Sequence, residues 1–320
     1  MHRISIHDDD YPVGLCDLET PPDVLTTTGP LDAMRAVAVV GSRRATEEAK
    51  DFAFALAYHL ARAGVAVVSG GAIGIDRAAH EGAMAAGGVT WVVFGSGAPI
   101  VSPPNNEDLF EAVQDSERSR LIWPFEDGTP TTGENLRSRN GTIASLATDV
   151  VVVQAYFQSG SRNAARTTRI LGRNLWLVPG APWDPLFSGT MAEGAEGGRT
   201  LWSIPAFFEA LELREPDLED PSARRRAQVP NPSSPMPPRR RTRKSRVVQI
   251  EARRPQDLGS WTEDEKLVFS KVSKGPTHRD DLVHQTGLTA SATITALLTL
   301  SLKDVVVEGP DGFFRRTRTR

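Results

Sequence analysis

Three short apolar runs, each emptying into a loop of small residues, constrain this chain more than any other feature. They are Ala36-Val37-Ala38-Val39-Val40 before Gly41-Ser42-Arg43-Arg44, Val65-Ala66-Val67-Val68 before Ser69-Gly70-Gly71-Ala72-Ile73-Gly74-Ile75-Asp76, and Val150-Val151-Val152-Val153 before Ser159-Gly160-Ser161-Arg162. Parallel strands covered by helices on both faces read as unbroken apolar runs. Open α/β sheets bind ligands at the carboxyl ends of such strands. Small residues there let backbone N–H groups approach an anion, and a following helix N-terminus adds about half a positive charge. Three such loops in one sheet point to a ligand carrying several phosphates, and two of the three loops also carry arginine.

The segments between these runs alternate between helix and strand. The pattern predicts a strand at 36–40, a helix near 47–63 ended by Gly64, a strand at 65–68, a helix near 74–87 and a strand at 89–94. A loop to Asn106, a helix at 108–113, a weak strand at 120–122, a loop at 124–138 and a helix at 139–147 follow. Strand 150–153, helix 161–172 and strand 174–178 complete the series, with Pro179-Gly180 closing the sheet. This alternation implies right-handed βαβ units and an α/β fold with an extended, mainly parallel, Rossmann-like sheet. Residues 1–30, with Tyr11-Pro12, Pro21-Pro22 and Gly29-Pro30, read as an irregular lead-in, and 31–214 as the sheet domain.

From 215 to 257 the composition shifts. Between 224 and 254 there are eleven Arg and Lys against a single acid, Glu251, amid repeated prolines. Such a stretch cannot bury a core and is expected to be a disordered basic linker. The net charge of −3 hides this asymmetry, because the remainder of the chain is strongly acidic. Basic segments tied to acidic domains hint at nucleic-acid contact. Residues 258–320 then predict a small second unit. Helix 262–273 opens on a capping box of Thr262 and Glu265. Helices at 278–285 and 290–302 follow, and Asp304–Phe314 reads as a hairpin around Gly309-Pro310-Asp311-Gly312. That is the outline of a winged helix-turn-helix.

Composition narrows the function classes. At 320 residues the chain has room for one large and one small domain. No run of about 18 apolar residues is present, so a membrane span is not expected. The acidic start lacks an apolar signal core, and the lone cysteine, Cys16, excludes an intrachain disulfide framework. A cytoplasmic protein without metal or cofactor is the expectation.

The motifs Gly41-Ser42-Arg43, Ser69-Gly70-Gly71-Ala72-x-Gly74-Ile75-Asp76-x-x-Ala79-His80, Arg139-Asn140 with Ile143-Ala144, Ser159-Gly160-Ser161, and Gly172-Arg173 with Pro179-Gly180 occur in this order. Taken together the series resembles the DNA-processing protein DprA family, also called Smf, over roughly 11–205, with a family-like winged helix at 258–320. The resemblance implies a non-enzymatic protein that binds single-stranded DNA, protects incoming strands in natural transformation, loads the RecA recombinase and forms a homodimer through the Rossmann domain.

Under that resemblance Gly41, Ser42, Arg43 and Arg44 are expected at phosphates, Ser42 through its hydroxyl and N–H and Arg43 through its bidentate fork. Gly70, Gly71 and Gly74 permit close backbone approach. Arg139 and Asn140 fall on the family's Arg-Asn motif and are expected to reach phosphate or base. Ser159, Gly160, Ser161 and Arg162 make the third anion-friendly loop. Asp76 and His80, four apart on one helix face, could be imagined as a catalytic pair. The expected role is structural, with Asp76 satisfying loop amides and His80 bonding within the domain. No companion His or Cys cluster points to a metal.

Three positions depart from the family pattern. Leu136 stands where an aromatic residue usually precedes Arg-Asn, Gly141 where a second arginine is common, and Gln154 where an acid is frequent. A lost base stack costs about 1–3 kcal/mol. The helix at 290–302 carries no Arg or Lys before Lys303, so it is poorly suited to base reading and equally suited to protein contact. The alternative function is a Rossmann hydrolase acting on a nucleotide or nucleotide sugar. Against it, the third loop carries no acid; a dinucleotide dehydrogenase is opposed by the first loop, which lacks Gly-x-Gly-x-x-Gly.

Overall fold

The structure is a computed structural model that describes residues 1–214, Pro221, Arg225, 261–272, 277–302, 305–308 and 313–316. The chain divides into two compact units, Met1–Met236 and Pro237–Arg320.

The first unit is built on nine strands: β1 (His2–Ser5), β2 (Val24–Thr27), β3 (Ala36–Val40), β4 (Ala66–Gly70), β5 (Thr90–Val93), β6 (Arg120–Trp123), β7 (Asp149–Val152), β8 (Asn174–Leu177) and β9 (Arg199–Thr200). Their order across the sheet is β1-β2-β6-β5-β4-β3-β7-β8-β9. Strands β3 to β9 run parallel, and β1 and β2 add antiparallel at one edge. Among its described residues the α-helices are α1 (Glu47–Arg62), α2 (Ile75–Ala85), α3 (Glu107–Gln114), α4 (Gly133–Ser145), α5 (Ser161–Ile170), α6 (Ser188–Ala195) and α7 (Ile204–Ala210).

The pleat explains the unbroken apolar runs. Val37, Val39 and Val67 face one core with Phe54, Leu56 and Ala79 of α1 and α2. Ala38, Val40 and Val68 face the other with Leu15, Ile143 and Ala164. Both faces of the sheet are buried, so no polar alternation is needed.

Three expectations are corrected. Residues 1–30 are not an irregular lead-in. They supply β1 and β2, and Leu15 and Leu25 enter the core. The helix expected at 139–147 starts six residues earlier, where Thr132 caps α4 by accepting the Asn135 N–H at 3.1 Å. Its first turns carry only Leu136 as an apolar residue, so no stripe marks them. Pro179-Gly180 does not close the sheet, because the chain continues through α6 to β9, which pairs parallel with β8.

The second unit has helices α8 (Glu263–Lys271), α9 (Arg279–Thr286) and α10 (Ala290–Leu302) and strands β10 (Thr277–His278), β11 (Val306–Glu308) and β12 (Phe313–Arg316). The strand order is β10-β12-β11, all antiparallel. Val268, Leu282, Leu297, Leu300 and Phe314 form its core, and the Thr262–Glu265 capping box is complete. This is the winged helix that the spacing predicts.

The segment at 215–257 lies outside the described residues apart from Pro221 and Arg225. Arg225 is not a solvated linker residue. It is buried against α1, with its guanidinium 2.7 Å from Asp51 and 3.2 Å from Glu47. No helix among the described residues is long and apolar enough to cross a membrane.

Candidate nucleic-acid interface

The sheet reverses its winding between β3 and β7. From β3 the chain proceeds to β4 on one side, and it returns to β7 on the other. Crevices at such switch points collect ligands, because the loops on either side diverge to opposite faces. Here the loops after β3 and β7 are tied together. The Ser42 N–H donates to the Gln154 carbonyl at 2.7 Å, and the Thr46 N–H donates to Gln154 Oε1 at 3.0 Å. Gly41 stands between the Ile75 side chain and that same carbonyl. Ser42 is buried, its Oγ accepting the Arg44 N–H at 3.1 Å, while the Arg43 and Arg44 side chains are exposed. Neither arginine makes an ion pair within the described residues.

Beside this crevice a cavity of about 230 Å³ opens between the ends of β4 and β5 and the start of α4. That is below the roughly 300–1,000 Å³ of sites that enclose whole small ligands. Arg43, Ile73, Leu136 and Arg139 line it, with Phe94 and Thr131. Arg139 is only 5% exposed, and Nη1 donates to the Val93 carbonyl at 2.7 Å. A Cβ at Gly70 would run into its guanidinium, so glycine there makes room for Arg139. Gly74 is required for a second reason: its φ of +89° suits glycine, and the Ser42 and Arg43 backbone passes against it. Arg139 Nε and Thr131 Oγ1 are buried without a hydrogen-bond partner in the protein.

Asp76 lies beneath the same loops and accepts the N–H groups of Gly41 and Ala72. Burial pushes its pKa up to about 6, against the opposing pull of Arg139 and Arg43. Burial lowers the pKa of Arg139, and Asp76 opposes that shift. His80 is fully buried. Its Nε2 lies 3.0 Å from the Gly70 carbonyl and its Nδ1 lies 2.7 Å from Thr90 Oγ1. Desolvation, reinforced by Arg139, lowers its pKa to about 4 despite the Gly70 bond. His80 is therefore neutral, with the Nε2–H donating to the Gly70 carbonyl; the single proton of Thr90 Oγ1 lies between His80 Nδ1 and the Val67 carbonyl, which is 2.8 Å away. Both side chains are occupied inside the protein, and neither lines the cavity.

The third loop is bound differently. Ser159 Oγ and Ser161 Oγ share a hydrogen bond at 2.6 Å, and the Ser161 N–H also reaches Ser159 Oγ. Asn140, expected to face the ligand, turns to this loop instead and donates to the Gly160 carbonyl at 3.3 Å. Arg162 is held by Glu193 at 2.7 Å and by the Phe157 carbonyl at 2.9 Å, with its guanidinium 4.4 Å over the Phe157 ring. Glu193 also pairs with Arg169 and is itself 2% exposed. The folded chain thus gathers Arg43, Gly71 and Arg139 in one cavity and keeps Asn140 and Arg162 outside it. Glu193, Thr131 and the bridging role of Gln154 are missed by sequence reasoning. Glu193 lies 31 residues from Arg162 with no motif around it. Among the described residues no group of three or more His, Cys, Asp or Glu is placed to hold a metal.

Comparisons with known proteins agree with this architecture. The sequence model of DNA recombination-mediator protein A matches residues 2–212, and that of the DprA winged helix domain matches 252–312. Protein Smf of Synechocystis sp. is 26% identical over 97% of this chain and 78% of its own length. DNA processing protein DprA of Bacillus subtilis is 29% identical over 69% of this chain and 75% of its own. The X-ray structure of DNA processing protein A from Streptococcus pneumoniae is similar with a TM-score of 0.61 at 30% identity, covering 67% of this chain and 74% of that one. A structure of DNA processing protein A from Helicobacter pylori, described for its single-stranded DNA binding mode, shares the fold with a TM-score of 0.58 at 24% identity, covering 66% and 95%.

Proposed function

This chain belongs to the DNA recombination-mediator protein A family, and from that premise we propose that it binds single-stranded DNA at the carboxyl rim of its parallel sheet. It then delivers the strand to a recombinase of the RecA type, in DNA uptake and recombination, and catalyses no reaction of its own. One observation carries the reading. A buried guanidinium with an unpartnered Nε lines a cavity whose lining also includes Arg43. Buried donors without acceptors are rare in folded proteins; the Nε atoms of Arg173 and Arg225 also lack one, and Arg139 differs from them in lining the cavity. Arg43 and Arg44 are exposed beside it and suited to backbone phosphates. The cavity is smaller than sites that enclose a whole small ligand. The Helicobacter relative's described binding of single-stranded DNA supports the same reading.

The roles assigned to Gly41, Ser42, Gly70, Gly71 and Gly74 are to shape and tie these loops so that Arg43 and Arg139 line one cavity, while the N–H groups of Gly41, Ser42, Arg44 and Ala72 are bound within the protein. Ser159, Gly160 and Ser161 offer a further phosphate position across the crevice. The site works in a homodimer joined through the first unit.

Titrating fluorescent oligo-dT and the matching duplex at two salt concentrations tests the proposal. The wild type should prefer the single strand. Arg43→Ala should weaken binding for every sequence and lower the salt slope by about one. Tight sequence-dependent duplex binding, or nucleotide turnover without nucleic-acid binding, would overturn it. Stimulation of RecA-driven strand invasion by the wild type, lost in Arg43→Ala, tests the delivery step.

A further inference from the structure

Exposed aromatic rings are unevenly distributed over this molecule. Among the described residues the large exposed rings are Tyr156, Phe157 at 59%, Trp183 at 85% and Trp202. All of them follow the carboxyl ends of neighbouring parallel strands: Tyr156 and Phe157 after β7, Trp183 after β8 and Trp202 after β9. They therefore share the rim that carries Arg43 and Arg44. Strands in a sheet lie about 4.8 Å apart, so loops from consecutive strands stand side by side. The Phe157 and Trp183 loops are also joined through α6. The Phe157 N–H donates to Ser188 Oγ at 2.9 Å and the Gly189 N–H to the Ala155 carbonyl at 2.7 Å, and the turn leading into α6 runs from Ala181 to Asp184.

We infer that Phe157 and Trp183 form a base-stacking platform on the β7–β8 side of the switch point, over which a single strand runs after leaving the Arg43 cavity. The inference rests on the single-strand reading above and adds where the bases lie. Two observations favour nucleobases over an apolar partner. The residues that directly follow the rings, Gln158, Ser159 and Gly160 after Phe157 and Asp184 after Trp183, are polar or small. Arginine accompanies them: Arg162 covers one face of Phe157, and Arg166 is exposed on the same helix. Rings interleaved with cations are the arrangement that holds bases and backbone together without reading sequence. The cavity itself offers no free ring face. Its only aromatic lining residue, Phe94, is 1% exposed and stacked on Trp123, and Leu136 has no π-face to present.

The test uses the full chain with oligo-dT and an abasic oligomer of the same length, which keeps the phosphates and lacks the bases. Phe157→Ala/Trp183→Ala should weaken oligo-dT binding about fivefold or more per ring removed, leave abasic binding unchanged and leave the salt slope unchanged. Phe157→Trp should retain wild-type affinity. The inference is overturned if the double variant binds oligo-dT like the wild type, or if abasic binding falls equally. It is also overturned if sedimentation shows the double variant losing self-association while affinity per protomer is unchanged, because the rings would then cover a second copy. Failure of the wild type to bind oligo-dT would instead strike the single-strand reading itself.

Discussion

Arg139, Asp76 and His80 form the ionisable interior beneath the site, and burial is the largest cause of their pKa shifts. The His80 pKa falls from 6.5 to about 4, so the unfolded chain takes up a proton that the folded chain refuses. Stability from this group is whole above pH 6.5 and is lost as pH falls toward 4. Asp76 has the opposite sign. Its pKa rises from 3.8 to about 6, so the folded state gains stability as pH falls through 6 toward 4. The two effects overlap and mask each other in the wild type. His80→Gln separates them: relative to this variant, the wild type should lose about 1.4 kcal/mol per pH unit between 6.5 and 4 in urea titrations. Asp76→Asn removes the negative charge next to Arg43 and Arg139. It should tighten oligo-dT binding at pH 7.5 and abolish the rise in wild-type affinity expected as pH drops through 6.

At the level of elements, the loops are held by partners that their own motifs do not contain. Glu193 on α6 neutralises Arg162 and Arg169, both on α5. Glu193→Gln should release both cations, and the salt slope of oligo-dT binding should steepen by up to about two if the third loop faces phosphates. An unchanged slope would remove that loop from the interface. Gly70→Ala would force Arg139 from its seat against the Val93 carbonyl. It should destabilise the first unit by about 1–3 kcal/mol in urea unfolding. Thr132→Ala should cost about 1 kcal/mol by the same measurement, because the cap starts α4 two turns before Arg139.

For the molecule as a whole, the rim of one wound sheet presents Arg43, the cavity and the aromatic loops in a row, while the basic charge is concentrated after the sheet. The sequence at 224–254 carries an excess of Arg and Lys, a composition suited to contacts that depend on phosphate alone. Arg225 is committed to Glu47 and Asp51, so a deletion should spare it. Removing 226–254 should weaken oligo-dT binding and flatten its salt dependence. An identical slope would show that the rim alone carries the phosphate contacts. The α10 helix of the winged unit exposes Ile294 and Thr295.

Local chemistry alone settled the parallel strands β3 to β8, the Thr262–Glu265 capping box and the glycine-bearing turns. Fully covered strands must be apolar throughout, a cap acts within one turn, and a positive φ selects glycine at its own position. The four-residue strands β1 and β2 and the start of α4 escaped notice because His2–Ser5 and Val24–Thr27 are too short to set a period and Gly133–Asn135 has no apolar face. What packing alone could settle is which charges are buried and with whom. The pKa shifts of Arg139, Asp76 and His80 come first from burial within the assembled sheet, and Glu193 meets Arg162 across 31 residues because α5 and α6 pack together. Desolvation and pairing between distant residues are properties of the assembled interior, and no short stretch of chain contains them.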